Sequence, residues 1–152
     1  MRITAKVDYA VRAVVELASA NGRGPIKSET IARAQDVPQR YLESILSDLR
    51  HAGIVDSRRG THGGFRLARP ASEIAIADVI RALQGPLATV RGEVPEDLDY
   101  VGSAAPLQEV WFAVRANLRA VTEQVSIAEL ARGEVPERIL QLAADPDARL
   151  RR

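Results

Sequence analysis

The side chains best equipped for chemistry in this 152-residue sequence are hydrogen-bond donors, and they gather between Pro38 and Ala68. Arg58, Arg59, Thr61 and His62 stand among Gly60, Gly63 and Gly64, in a run too rich in glycine for regular structure. Upstream, Arg40, Ser44, Ser47 and His51 fall on one face of a 3.6-residue period, opposite Leu42, Ile45, Leu46 and Leu49. One face packs; the other is free to meet a ligand rich in acceptor oxygens. Bond-making chemistry finds no support. There is no cysteine, the two histidines have no paired acid, and neither a nucleophile elbow nor a phosphate loop is present. The chain is therefore read as a binding protein and not an enzyme, with no cofactor and no metal site.

The elements that position these donors follow from spacing. Gly53 ends the amphipathic helix, Ile54 and Val55 open an extended segment, and Phe65 and Leu67 alternate with Arg66 as a returning strand would. A helix followed by a cationic hairpin predicts a winged helix-turn-helix, whose helix enters a major groove while the wing touches backbone or minor groove. Before it, Thr4 caps a helix carrying Val7, Ala10, Val11, Val14, Leu17 and Ala18, stopped by Asn21-Gly22 and Gly24-Pro25. Arg2 and Lys6 at its start are placed to meet a polyanion. Ser28 is expected to cap a second short helix, SETIARAQ, and Asp36-Val37-Pro38 to turn into the next. Tyr41 and Leu42 are expected to be buried at that junction; Ser28 and Tyr41 are also counted with the DNA-binding candidates. After Pro70, Ile76, Val79, Ile80 and Leu83 predict a helix that closes the core and ends at Gly85-Pro86.

Charge divides the chain. Residues 1–70 carry twelve Lys/Arg against seven Asp/Glu, and residues 71–152 carry nine against thirteen, so a net +1 conceals halves of +5 and −4. A basic half joined to an acidic remainder fits a polyanion-binding domain attached to a part with another task. No run of eighteen apolar residues or charged-then-apolar leader occurs, which predicts a cytoplasmic protein that does not enter a membrane.

Four stretches resemble the Rrf-type family of bacterial winged-helix transcription regulators (IscR-, NsrR- and CymR-like): MRITAKVDYAVRA, GPIKSETIA, YLESILSDLRHAGIVDSRRGTHGGFRLARP and IAIADVIRALQGP. The resemblance spans residues 1 to about 86. It implies homodimers that bind imperfect palindromes on double-stranded DNA, usually as repressors. Carried over by position, it implies that Gln39, Arg40, Glu43 and Ser44 lie in the major groove, with Arg58, Arg59, Thr61 and His62 on the wing and Arg59 entering a minor groove. The helical wheel independently exposes Arg40 and Ser44. In iron-sulfur members the cluster cysteines lie in the segment after the fourth helix; this chain has none, so cluster sensing is not carried over. Asp8 occupies a position that some cluster-binding relatives use, and is read here as a first-turn carboxylate. The segment LQGPLATV resembles the cysteine-free branch exemplified by CymR, in which a protein partner exerts control.

The domain division that follows is 1–84 for the winged domain, 85–105 for a sensor or effector loop, 106–144 for a dimerisation helix with further short helices, and 145–152 for a disordered tail. The loop LATVRGEVPEDLDYVGSAA shows no period and holds Glu93, Glu96, Asp97 and Asp99; residues 87–105 are the expected seat of a small-molecule or protein effector. Leu107, Trp111, Val114, Leu118, Val121 and Val125 follow a four-three heptad spacing, read as a dimer seam anchored by Trp111. Ser126 with Glu129 forms a capping box and Val125 with Leu130 a staple, opening a helix that the resemblance places against the partner's reader. The whole is a mainly α chain with a two-stranded β-wing and a long C-terminal helix, expected to act as a homodimeric repressor on a pseudo-palindromic operator. The rival reading is a winged-helix module whose basic wing binds a protein.

Overall fold

The computed structural model describes residues 2–20 and 22–150; Met1, Asn21, Arg151 and Arg152 lie outside it, and with them part of the expected stop after the first helix and the end of the expected tail. Seven helices and one hairpin are formed by the described residues: α1 Ala5–Ser19, α2 Ser28–Gln35, α3 Gln39–His51, β1 Val55–Arg58, β2 Gly64–Leu67, α4 Ile76–Gln84, α5 Leu107–Thr122, α6 Ile127–Ala131 and α7 Glu137–Ala143. The expected class, mainly helical with a two-stranded wing, is the one observed.

α1 starts where Thr4 accepts a hydrogen bond from the Val7 N–H at 3.4 Å. It buries Val7, Ala10, Ala13, Val14 and Leu17. α3 puts Leu42, Ile45, Leu46 and Leu49 into the same core with no exposure, as their spacing required. The turn between α2 and α3 works because Asp36 adopts the left-handed conformation (φ 49°), letting the Val37 N–H donate to Ala32 O at 2.9 Å. Ser28 does not cap α2. Lys27 holds that position without a side-chain bond, and its carbonyl accepts from Thr30 and Ile31.

Val55 pairs with Leu67 and Arg58 with Gly64 across the antiparallel hairpin, so the strand reaches one residue further toward the tip than the glycine content suggested. Ile26 fastens the hairpin to the body: its N–H donates to Phe65 O at 2.8 Å and its carbonyl accepts from Phe65 N–H at 2.7 Å. Gly64 is required at this contact, since a Cβ there would sit 2.5 Å from the Ile26 backbone.

The C-terminal half departs from its expected arrangement at two points. α5 ends at Thr122, so Val125 is not part of its seam; Val125 is 3% exposed, and its carbonyl accepts from the Ile76 N–H. α6 packs on α1 of its own chain rather than being left for a partner. Ile127 is fully buried, and its N–H donates to Ile74 O at 2.8 Å, clamping the returning chain beside the start of α4. The capping box itself forms as expected, with Ser126 accepting from the Glu129 N–H and Glu129 accepting from Ser126.

Candidate nucleic-acid interface

Because Leu42 takes the core position, residues on either side of it face outward: Gln39, Arg40, Tyr41, Glu43 and Ser44 are all exposed. Gln39 Nε2 donates to Glu43 Oε1 at 3.2 Å one turn on, which holds the carboxylate along the helix. Tyr41 departs from its expected burial. It is 41% exposed and lies edge-on to Tyr9, with ring centroids 5.8 Å apart at 84°. The 100° step from Leu42 to its neighbour turns the ring out of the core and onto α1.

The wing tip is closed by Gly63 N–H donating to Gly60 O at 2.9 Å, which leaves Arg59, Thr61 and His62 exposed with Arg58 at the strand end. Gly63 is as constrained as Gly64: a Cβ would meet Arg58 O at 2.1 Å.

Partners separate the cations into two groups. Lys6 is paired with Asp48 at 2.7 Å, Arg12 with Asp8, Arg66 with Asp56 and Arg69 with Asp78, so these charges are largely answered within the fold. Arg50 donates to Ser57 Oγ, and His51 Nδ1 lies 2.7 Å from Ser47 O, facing its own helix end. Arg2, Arg40, Arg58 and Arg59 have no carboxylate partner among the described residues. The same holds for Arg23 and Lys27, which the sequence reading passed over. They flank an open cleft of about 640 Å³ between the wing and the start of α2, opposite Arg58, Thr61 and His62. The signal was present in GRGPIK, two cations just before a helix N-terminus, where backbone N–H groups also favour an anion. The wing, the exposed face of α3 and this cleft together carry more unpaired cations than the two carboxylates among them, Glu16 and Glu43, and that surplus suits a phosphate backbone.

Away from this surface, the 87–105 segment is more organised than its sequence suggested. Leu87, Pro95 and Leu98 are buried, Val90 and Glu93 form a one-residue bridge, and short 3-10 turns span Pro95–Asp97 and Gly102–Ala104. Arg115 donates twice to Glu96, both at 2.6 Å, and those bonds hold the Glu96 carboxyl below the usual range. Ser126 does the same to Glu129.

α5 has no buried residue along its sixteen. Trp111, Val114 and Leu118 face α1, α4 and residues 86–90 of the same chain, and Trp111 Nε1–H donates to Tyr100 OH at 2.8 Å. Leu107, Val110 and Val121 are the large apolar residues turned outward, 36%, 50% and 37% exposed. No helix among the described residues is long and apolar enough to cross a membrane.

Comparison with known proteins agrees with this architecture. The model of the Rrf2 family, described as iron-dependent transcriptional regulator, matches residues 3–133. A Mycobacterium tuberculosis protein provisionally named an HTH-type transcriptional regulator is 47% identical over 145 residues, covering 95% of this chain and 90% of its own. CymR of Bacillus subtilis, an HTH-type transcriptional regulator, is 34% identical over 131 residues, or 86% of this chain and 90% of that one. Among solved structures, the B. subtilis global cysteine regulator CymR superposes with a TM-score of 0.73 at 33% identity, covering 89% of this chain and 99% of that one. IscR of T. potens gives 0.69 at 29% identity, covering 100% and 93%. The iron in the family description finds no fitting donors here. Thiolates are absent from the sequence, Glu96 is committed to Arg115, and no three His, Asp or Glu side chains converge on a metal position among the described residues.

Proposed function

The chain belongs to the Rrf2 family of DNA-binding transcriptional regulators, and from that premise we propose that it is a homodimeric repressor that reads a pseudo-palindromic operator without iron. The observation that carries this reading is the grouping of unpaired cations: Arg40 on α3, Arg58 and Arg59 on the wing, and Arg23 and Lys27 at the cleft beside it have no carboxylate partner among the described residues, whereas Lys6, Arg12, Arg66, Arg69 and Arg81 of the same domain do.

On the operator, α3 lies in a major groove. Arg40 donates to guanine O6 and N7, and Ser44 bonds a base edge or phosphate. Glu43, steadied by Gln39, accepts from cytosine N4 and repels a misplaced phosphate, so it discriminates more than it attracts. Arg59 enters the adjacent minor groove, with Arg58, Thr61 and His62 along the backbone. Arg2, Ser28 and Tyr41 flank the helix, and Lys6 contributes while sharing its charge with Asp48. Two copies related by a two-fold axis place their α3 helices about one helical turn of DNA apart or a multiple of it.

The second copy docks on α5. A sixteen-residue helix of about 24 Å with no fully buried residue in its own chain leaves apolar surface for a partner, and Leu107, Val110 and Val121 offer the outward stripe. Trp111, Val114 and Leu118 border this stripe on the side turned to the winged domain, and Val125 anchors the end of the rod to that domain. The segment 87–105, joining reader to rod, is the seat of control.

Sedimentation combined with selection of bound genomic fragments tests the proposal. A dimer at micromolar concentration and recovery of a two-fold symmetric sequence are the expected results. A monomer that retains no duplex at low salt would exclude both parts, and a dimer that binds every sequence alike would exclude the operator.

A further inference from the structure

We propose that the cavity between α1, α4, α5 and residues 86–90 binds a monocarboxylate with an apolar body, and that this is the small molecule to which the chain responds. The cavity measures about 440 Å³, within the range of small-molecule sites. Its wall is apolar carbon, chiefly Ile80, Leu87, Trp111, Val114 and Leu118. Among the residues lining it Arg2 alone is charged, and no carboxylate faces inward to answer it. A dianion would place a second charge against hydrocarbon and a cation would be repelled, whereas a single carboxylate on a hydrocarbon body meets the exposed guanidinium at the rim and the apolar wall together.

The position gives the site a consequence. Ile80 belongs to the winged domain and Trp111, Val114 and Leu118 to the rod, so a body lodged between them sets the angle at which α5 leaves the reader. This consequence rests on the DNA-binding reading above; occupancy of the cavity does not.

Trp111 is the only tryptophan and lines the cavity, so its emission reports binding without a label. Titration of the full chain with octanoate is expected to change that emission saturably at roughly 10 μM to 1 mM, a range suited to a ligand of so few atoms. Octanamide, equal in shape but uncharged, is expected to bind about tenfold more weakly, the worth of one charge-assisted contact. Arg2→Gln should abolish that difference with little effect on folding, because Arg2 is exposed. Val114→Phe should fill the cavity and remove the response to both, with thermal unfolding as the check that the variant is folded. Absence of a saturable change with octanoate overturns the proposal, as does equal binding of acid and amide. If the response weakens as the protein is concentrated through its dimerisation range, a second copy covers the cavity and the proposal fails. A fluorescence response without DNA retention would instead sink the regulator reading and leave the ligand site standing.

Discussion

Replacing Gly64 by alanine should detach the wing from the body of the protein. The added Cβ would lie 2.5 Å from both C and O of Ile26 and 3.0 Å from its nitrogen, and the backbone there has φ +146°, which non-glycine residues rarely adopt. Relief requires β2 to move away from Ile26, stretching two backbone hydrogen bonds of 2.8 and 2.7 Å. The conformational strain costs about 1–3 kcal/mol. Each lost bond adds about 0.5–1.5 kcal/mol, for a total of roughly 2–6 kcal/mol. At about 2–4 °C per kcal/mol for a chain of this length, Tm should fall by roughly 4–24 °C. Gly60→Ala is the control: its φ of +103° carries the strain, but no atom stands within 4 Å of the new Cβ, so the Ile26 ladder survives and the fall is smaller. Calorimetry measures stability, and duplex binding across a salt series measures the wing. In Gly64→Ala the slope of log K against log salt should drop by about two, one for each of Arg58 and Arg59. A Gly64→Ala protein with the stability and salt slope of Gly60→Ala would refute the reasoning, because the Ile26 contact would then place nothing.

Arg59→Ala should weaken binding to all duplexes alike and lower the salt slope by about one, whereas Arg40→Ala should cost roughly 1–3 kcal/mol on one operator position and relax the preference there; competition assays with single-base variants separate the two. Ile127→Ala should destabilise the fold by about 2–5 kcal/mol in urea denaturation, since the side chain is fully buried between α1 and the segment before α4. The carboxyls of Glu96 and Glu129 are held below their ordinary value of 4.5 by bonds from Arg115 and Ser126. Their contribution to stability is therefore complete above pH 4.5 and is lost as pH falls through the lower folded values, an acid limb that Glu96→Gln should shorten in a pH series of thermal melts.

The helices of the winged domain were legible because each is amphipathic and locally punctuated: Leu42, Ile45, Leu46 and Leu49 could share only one face of a helix, and Gly53 with φ +71° could end it. The glycine-rich tip was legible for the same reason, since steric permission is a property of the residue itself. The likeness to the Rrf2 family could likewise be read from four short stretches, and the absence of thiolate donors from composition alone. Other features depended on what lies across space. Spacing puts Trp111, Val114 and Leu118 on one seam but does not say whether α4 of the same chain or a second copy faces it, and the cavity beside Arg2 exists only once α1, α4 and α5 converge. Val125 and Ile127 read as a helix start in sequence, yet their burial depends on backbone bonds to Ile76 and Ile74, about fifty residues away. The sequence likewise counts cations without pairing them: Lys6 finds Asp48 on another helix, whereas Arg40, Arg58 and Arg59 find no carboxylate among the described residues. Local rules fixed which residues face which way within an element; only packing decided what each face meets, because burial and ion pairing are set by distances that the order of residues does not contain.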